Sequence, residues 1–366
     1  MTKSFVPFSR KICSLTLALL MTGCASIGPR VLQQDRLRYN EIMRDTSNEE
    51  LLFNMVRLRY NEAPMAIKVG NISGSTTWQK QASFGTTLFS PSSKFGSPNS
   101  TSIGAQTLIL DNPIISYTPL DGAAYTLAFL GALDLSDINV LLQSSWSISR
   151  LFRLSLQSIG TAVNAPSAAR PTSSHIPVYK DFMAVAAALR RMQVNDSLIQ
   201  YYKNKGDHEE LSLVIRHGYK LNAKEKALFK KTGIEIYHNK ITLTNKPQPH
   251  KVYVVTRSML GVLNYLSKGM DVPPIDAQRK VLTQTKYRNG KIFNWQDVVT
   301  GIMTIHYSDT RPQNAFLSIP YRGRWYYISD SDSSTKQTLI LLSNLSGLVQ
   351  EAPPSSTQAP GLTRAV

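Results

Sequence analysis

The first residues of the chain constrain it most, because they read as a segment that is removed before the body folds. Lys3, Arg10 and Lys11 provide positive charge with no acidic residue among them. An apolar run of about ten residues then extends from Ile12 to Met21. A helix that crosses a bilayer needs roughly twenty such residues. The pattern therefore predicts a secretory signal peptide over residues 1–23, and not a permanent transmembrane helix.

The end of this segment, Met21-Thr22-Gly23-Cys24, resembles the bacterial lipobox, with Met in place of the usual Leu. The resemblance implies cleavage between Gly23 and Cys24 and attachment of a diacylglyceryl group to the Cys24 thiol. Acyl chains contribute about 0.8 kcal/mol per buried CH₂ group, so several chains hold a protein firmly on a membrane. Ala25 follows the cysteine, which in such lipoproteins favours the outer membrane. The alternative is an ordinary secretory signal with a cysteine there by chance.

Cysteine usage agrees with this interpretation. The chain has two cysteines, of which Cys13 lies in the segment expected to be removed and Cys24 is the expected lipidation site. No thiol is left for an intramolecular disulfide. Hydrophobic residues make up 42% of the chain, too many for a wholly disordered protein. The body should therefore be a globular structure held by its hydrophobic core.

Positive charge is concentrated in the C-terminal half. The chain has 41 Lys and Arg against 24 Asp and Glu, and residues 216–291 hold 16 of these bases and only 4 of the acids. Such a region can bind anionic lipid head groups, anionic envelope polymers or an acidic protein, and an exported protein is not expected to bind nucleic acid. The alternative is a solvated lysine-rich surface. The interaction residues predicted here are Lys224, Lys226, Lys230 and Lys231.

Mixed helical and strand patterns without regular βαβ alternation predict an α+β fold. The N-terminal half is expected to be β-rich, with a long Ser-rich hairpin loop between Phe89 and Gly104. The predicted organisation is a signal peptide at 1–23, a lipidated tether at 24–46, an N-terminal α+β region at 47–166, a basic C-terminal α+β region at 167–351 and a disordered tail at 352–366.

Local signals predict individual elements. Ser47 and Glu50 form a capping-box pattern that predicts a helix start. Arg57 and Arg59 are expected on a solvated face of that helix, with a buried polar network as the alternative. Further helices are predicted at 121–142, from Ser147 to Ile159, and at 181–192, 223–231, 257–266 and 335–349; further strands are predicted at 211–216, 234–237, 241–244 and 252–256.

A tight hairpin is predicted near the C-terminus, where residues 315–321 and 325–328 flank Arg322-Gly323-Arg324. Aromatic rings beside guanidinium groups can stack on sugars or anchor a protein interface. Alternate residues of a strand face the core, so at least half of this cluster is expected to be packing. The interaction residues predicted in the hairpin are Arg322, Arg324, Trp325 and Tyr326.

Five phrases of the sequence resemble a family of bacterial lipoproteins without an assigned activity. The resemblance extends from about residue 36 to residue 350 and implies a location in the envelope, but it transfers no catalytic residue. The phrases are ELLFNMVRLRYNEAPM, NPIISYTPLDG, SSWSISRLFRLSLQSIG, VVTRSMLGVLNYLSKGMDVP and IPYRGRWYYISDSDSSTKQTLILL.

The sequence carries no recognisable catalytic motif. The six histidines are scattered without zinc-ligand spacing, and no nucleophile elbow, P-loop or dinucleotide motif occurs. The segment that starts at Asp330 and Asp332 does not have the glycine and the glutamate that a calcium-binding loop requires. The two carboxylates are therefore predicted to cap the helix that follows. Neither a catalytic residue, a metal nor a cofactor is expected, apart from the lipid on Cys24.

These features predict a non-enzymatic lipoprotein, anchored in the outer membrane with its body in the periplasm. Its expected role is that of a structural or assembly component of an envelope complex, such as a secretion system, in contact with other envelope proteins or with copies of itself. One alternative is a binding module for an anionic envelope polymer or lipid that uses residues 216–291. Another is a cell-envelope hydrolase whose catalytic residues are distant in sequence.

Overall fold

The computed structural model describes residues 27–65, 67–86, 101–119, 129–169 and 175–350. The predicted signal peptide, Cys24, the tail from residue 352 and residues 87–100, which include most of the Ser-rich loop predicted between Phe89 and Gly104, lie outside them. Residues 101–104 of that loop are part of a strand instead. Contacts divide the chain into two compact units, one made of residues 1–64 and 127–366 and the other of residues 65–126. The predicted α+β class is confirmed, because the structure contains both helices and strands, and the strands form mixed sheets.

The second unit contains a β-ribbon. Its strands are β1 (Ile67–Thr86) and β2 (Thr101–Pro119), which pair antiparallel from Ile67 opposite Pro119 to Thr86 opposite Thr101. The register shifts once, between Val69 and Ile72. The described part of this unit therefore has the backbone of a long hairpin, which matches the strand character predicted for this stretch.

The first unit contains the remaining elements. Its helices are α1 (Ile27–Arg59), α2 (Leu135–Gln143), α3 (Ile148–Ser155), α4 (Lys180–Val194), α5 (Ala223–Thr232), α6 (Met259–Ser267), α7 (Pro274–Gln278), α8 (Gln296–Val299) and α9 (Ser333–Gln350). Its strands are β3 (Leu156–Ile159), β4 (Ala162–Val163), β5 (Leu198–Asn204), β6 (Glu209–Ile215), β7 (Lys240–Thr244), β8 (Val252–Thr256), β9 (His306–Ser308), β10 (Ala315–Tyr321) and β11 (Arg324–Ser329).

Two sheets organise this unit. A six-stranded sheet has the order β4-β3-β8-β7-β6-β5, in which only the β7–β8 pair is parallel. A three-stranded antiparallel sheet has the order β10-β11-β9. The domain boundary predicted at residues 166/167 is corrected, because β3 and β4 precede it, β5 to β8 follow it, and all six strands share one sheet.

The helix start predicted at Ser47 is wrong. Helix α1 begins at Ile27 and passes through Ser47 without interruption. Pro29 falls in the first turn, where a missing amide is tolerated, and residues 30–46 contain neither glycine nor proline to stop the helix. No helix in the described part of the chain has both the length and the apolar character needed to cross a membrane.

Several other predictions are corrected at element boundaries. Of the helix predicted at 121–142, residues 121–128 lie outside the described chain, and helix α2 covers Leu135–Gln143. Residues 234–237 form a single bridge between Tyr237 and Lys240 instead of a strand. Strand β5, with the sequence LIQYYKN, was not predicted. As an edge strand, β5 pairs with one neighbour only and stays partly exposed, so polar residues are tolerated there.

The C-terminal hairpin is confirmed. Strands β10 and β11 pair around Arg322 and Gly323, which both have positive φ, 49° and 76°. Positive φ at both central residues is the geometry of the type I′ turn, whose twist matches that of the flanking strands. The predicted capping is also confirmed, because the Asp332 carboxylate accepts a hydrogen bond of 3.0 Å from the Thr335 amide at the start of α9.

A buried arginine determines where α3 ends. The predicted helix extended to Ile159, whereas α3 stops at Ser155 and the chain continues directly as β3. Arg257, 1% exposed, donates hydrogen bonds into this junction. Its Nη1 is 2.8–3.1 Å from three carbonyl oxygens, and its Nη2 contacts a fourth; the acceptors belong to Arg153, Leu154, Leu156 and Asn164.

These contacts explain the sharp change from helix to strand. The carbonyls in the last turn of a helix have no partner within the helix, and here the Arg257 guanidinium supplies donors. Asn164 Nδ2 adds hydrogen bonds of 2.8 Å to the Arg153 and Leu156 oxygens. The Arg257 guanidinium also lies 4.3 Å from the centre of the Tyr265 ring. Burial lowers the pKa of Arg257 to about 10, so the side chain stays charged at neutral pH and its charge is offset by carbonyl dipoles and the ring.

We expect Arg257→Leu to lower the free energy of unfolding by about 3 kcal/mol, because four buried carbonyls lose a hydrogen bond. Within the described residues, only those of Arg153 and Leu156 keep a second side-chain donor, Asn164 Nδ2. Urea denaturation measures the change. Arg216→Leu is the matched control, since Arg216 is exposed and pairs only with Asp196 on the surface, and it should cost less than about 0.5 kcal/mol. Equal effects of the two substitutions would contradict the role given to Arg257.

Candidate functional site

A cavity of about 510 Å³ lies in the first unit. Three segments form its walls: the C-terminal end of α1, the loop from α6 into α7, and residues 284–296. Cavities of this volume are in the range that accommodates a small organic ligand. Its most distinctive feature is a pair of buried cations, Arg59 and Lys268, which both line it.

Arg59 occupies the last position of α1 and is only 5% exposed. Its Nη1 donates to the Thr283 carbonyl oxygen at 3.0 Å, while its Nε is buried without a hydrogen-bond partner in the described structure. Burial lowers the pKa of Arg59 to about 10, which leaves the guanidinium charged at neutral pH. The solvated position predicted for this residue is wrong, and the alternative of a buried polar position is correct.

Lys268 is the C-cap of α6 and is 8% exposed. The free carbonyls at that helix end favour a cation, and its Nζ lies 5.7 Å from the centre of the Trp295 ring. No carboxylate forms an ion pair with it among residues 27–350 as far as they are described. Burial, followed by the charge of Arg59, lowers the pKa of Lys268 to about 7.

Gly269 follows Lys268 and allows the chain to turn tightly at the cavity. A Cβ atom there would lie 2.4 Å from the Met303 carbonyl oxygen, so no larger residue fits. The Gly269 carbonyl accepts hydrogen bonds from the Ile305 amide at 3.0 Å and from Gln296 Nε2 at 2.9 Å. These contacts fix the backbone that carries Lys268.

The opposite wall is aromatic. Trp295 donates from Nε1 to Thr285 Oγ1 at 3.1 Å, and its ring packs edge-on against Phe293 with centroids 5.5 Å apart. Phe293 in turn contacts the rings of Tyr287 and Tyr179. The wall is therefore held by ring packing and a buried hydrogen bond, and its Trp295 ring lies 5.7 Å from Lys268 Nζ.

A buried polar network holds the end of α1 beside the cavity. The Tyr60 hydroxyl lies 2.6 Å from Asp276 Oδ2 and 2.6 Å from the Tyr326 hydroxyl. Arg324 reaches the same carboxylate at 3.4 Å. Burial and these two hydrogen bonds raise the pKa of Tyr60 well above its ordinary range. The network joins α1, α7 and the three-stranded sheet, and so positions the neighbouring Arg59.

The interaction residues predicted in the hairpin serve mainly internal contacts. Tyr326 is fully buried, so the surface role predicted for it is wrong. Arg322 pairs with Glu62 at 2.7 Å and lies over the Tyr60 ring, and Arg324 pairs with Asp309 at 2.9 Å. Trp325 is half-buried, with the Arg311 guanidinium 5.2 Å from its ring. The cluster therefore fastens the hairpin to α1 and to the loop before β10.

The predicted lysines lie together on the exposed surface of α5. Lys224, Lys226 and Lys230 are exposed, and Lys231 forms an ion pair of 2.8 Å with Asp181. The helix begins with a complete capping box between Asn222 and Glu225, as the sequence predicts for Asn222. The exposed side chains of Lys224, Lys226 and Lys230 form a surface that we call the lysine face.

No group of three or more metal-ligating side chains exists within the described ranges. His306 contacts Asp271 at 2.8 Å, and His250 contacts Glu235 at 2.8 Å. Each histidine also contacts an aromatic ring, Tyr327 for His306 and Tyr237 for His250. Cys24 and Gly23 lie outside the described residues, so the predicted lipidation and cleavage stay predictions.

Sequence reasoning missed the cavity because its parts come from segments far apart in the chain. Arg59 was assigned to the wrong face of its helix, and Lys268 was not singled out. One signal was available: an almost wholly apolar helix, MLGVLNYLS, runs directly into Lys268-Gly269. A lysine at the end of a buried helix must either reach solvent or face a cavity.

No protein-family model, curated protein or solved structure matches this chain. The resemblance to bacterial lipoproteins is therefore untested by these comparisons and stays a prediction.

We expect Lys268→Met to stabilise the protein at neutral pH. The pKa of Lys268 is about 7 in the folded protein and 10.5 ordinarily, so folding disfavours the ammonium form. Below about pH 7 the folded protein bears the full free-energy cost of the buried ammonium, and this cost disappears as the pH rises toward 10.5. The variant should gain about 2 kcal/mol in unfolding free energy at pH 7 and clearly less at pH 9.

Urea denaturation of both proteins at the two pH values measures the difference. Lys286→Met, at an exposed lysine, should change stability little at either pH. A Lys268→Met variant that is less stable at pH 7, or whose effect is the same at pH 9, would show that the buried amine carries no such cost.

Proposed function

We propose that this chain is a lipid-anchored protein of the bacterial envelope, attached to the outer membrane through Cys24, with its body in the periplasm. We propose further that it acts as a non-enzymatic structural or assembly component of an envelope complex, such as a secretion system. The observation that carries this proposal is the short apolar run that ends in Met21-Thr22-Gly23-Cys24. Several acyl chains on one cysteine make membrane attachment durable.

The course of α1 supports this arrangement. The helix begins at Ile27, three residues after the proposed attachment site, and its 33 residues span about 50 Å. Its C-terminal part is rooted in the core, where Leu52 and Met55 are fully buried. Further toward the anchor, Leu37 and Ile42 are 65% and 52% exposed. An exposed helical segment with apolar side chains between anchor and body suits contact with another envelope protein or a second copy.

Replacement of Cys24 tests the anchor. We expect Cys24→Ser to lose the lipid and to leave the membrane fraction, because the proposed attachment site no longer carries a thiol. Mass spectrometry of the N-terminal peptide and fractionation of cells measure the outcome. Cys13→Ser is the matched control, since Cys13 lies in the segment proposed to be removed, and it should behave as wild type. A Cys24→Ser protein that still partitions fully with membranes would refute the anchor.

The assembly role is tested separately by extraction in mild detergent and native sizing. The proposal requires a species larger than one chain, containing either further copies or a second envelope protein. A strictly monomeric protein without a co-purifying partner would contradict the assembly role while leaving the anchor intact.

The lysine face supports a second candidate function, binding of an anionic envelope polymer or lipid through residues 216–291. Lys226 and Lys230 lie one helical turn apart and are exposed. Their charges can attract phosphate or carboxylate groups on such a surface, and attraction between exposed charges weakens as salt rises.

For this candidate we expect the body to bind vesicles that contain phosphatidylglycerol, with binding that falls steeply as salt rises. Lys226→Glu with Lys230→Glu should abolish sedimentation with the vesicles, because the attraction becomes repulsion. Lys203→Glu with Lys205→Glu makes the same charge change at exposed lysines outside the basic region and is the control. Equal loss in both double variants would indicate net charge alone, and no loss in the first would exclude the lysine face.

A further inference from the structure

The cavity beside α1 has more positive charge than the surrounding structure neutralises. Arg59 and Lys268 are both more than nine-tenths buried, and Arg59 Nε has no partner in the described chain. Asp271 also lines the cavity, but its carboxylate is engaged 2.8 Å from His306. The nearby Asp276 carboxylate is engaged by the Tyr60 hydroxyl. Buried charges in proteins are normally paired, so this site lacks an anion.

The other side chains that line the cavity indicate which chemical groups the anion has besides its charge. Trp295, Phe293, Ile292 and Met270 contribute apolar surface to the same cavity. Ile292 is 53% exposed, and Tyr287, whose ring contacts that of Phe293, is 40% exposed, so apolar surface also reaches the outside. A bare inorganic anion would leave this surface wet, and a neutral apolar molecule would leave the two cations unpaired.

We propose that this cavity binds a small organic anion in which one oxyanion group is joined to an apolar body. The oxyanion lies between the Arg59 guanidinium and the Lys268 ammonium, and the apolar body packs against Trp295 and Phe293. The guanidinium offers directed donors and the ammonium offers a point charge, the two kinds of group that proteins use for carboxylates and phosphates. This site is separate from the anchor and from the lysine face.

The chemistry of Lys268 fits a ligand site better than a structural role. An uncharged side chain of similar length would fill the same space without the cost of burying an amine beside Arg59. Binding sites commonly retain residues that destabilise the empty protein. An anion held between the two groups would offset both charges at once, which no described side chain does.

Matched acids and amides test the proposal on the full protein body. Octanoate and 2-naphthoate are compared with octanamide and 2-naphthamide, which have the same apolar bodies without the charge. Octyl phosphate and inorganic phosphate complete the set and distinguish a carboxylate from a phosphate head group. Isothermal titration calorimetry measures affinity, and thermal unfolding reports stabilisation by bound ligand.

We expect at least one acid or octyl phosphate to bind and to raise the melting temperature, with affinity at least about tenfold above that of its neutral counterpart or of inorganic phosphate. Lys268→Met should weaken this binding about tenfold or more although the variant is folded, and Lys268→Arg should retain part of it. Lys286→Met changes an exposed lysine that directly follows the cavity residue Thr285, and this variant should bind as wild type.

Three results would overturn the proposal. They are the absence of binding by every anion in the set, equal binding of acids and amides, and unchanged affinity in Lys268→Met. Inorganic phosphate that binds as well as octyl phosphate would overturn the apolar part. Loss of membrane attachment in Cys24→Ser has no bearing on any of these measurements, so the anchor and the cavity are tested independently.

Discussion

The contact between Arg257 and the end of α3 is the interaction on which the central sheet depends. The guanidinium is fully buried and donates to four backbone carbonyls. These carbonyls lie where the chain leaves α3, becomes β3 and later passes β4. Arg257 itself directly follows β8, the strand that pairs with β3. One side chain therefore fixes both the end of a helix and the position of the first strands of the sheet.

The buried cations of this protein have two different kinds of surroundings. Arg257 is surrounded by carbonyl dipoles and the Tyr265 ring, so its charge has partners on every side that the structure describes. Arg59 and Lys268 have few such partners and face open space. Both arrangements carry a desolvation cost, but only the first is offset by folding alone. This contrast separates an arginine that builds the fold from a pair of cations suited to bind a ligand.

Sequence patterns predicted the elements whose signals are local. The hairpin around Arg322-Gly323, the Asn222 cap of α5 and the Asp332 cap of α9 each depend on a few adjacent residues, and the structure contains all three. Predictions were wrong where a distant group determines the outcome. The end of α3 depends on Arg257, about a hundred residues further along the chain.

The same distinction applies to the functional site. The lysine face was predictable because its members lie on one helix, whereas the cavity joins α1 to residues more than two hundred positions away. Tyr326 was predicted at the surface because a strand pattern shows which residues share a face but not which face is buried. Its burial follows from the packing of the hairpin against Tyr60 and Tyr321.

The β-ribbon, made of Ile67–Thr86 and Thr101–Pro119, belongs to the second unit, which interrupts the sequence of the first. Its first and last paired residues, Ile67 and Pro119, are opposite each other, so the backbone enters and leaves the ribbon at one end. Pairs of facing residues can be added to or removed from such an antiparallel ribbon, and the distance between its first and last residues stays the same. Changes in the length of the ribbon therefore need not alter the sheet built around Arg257.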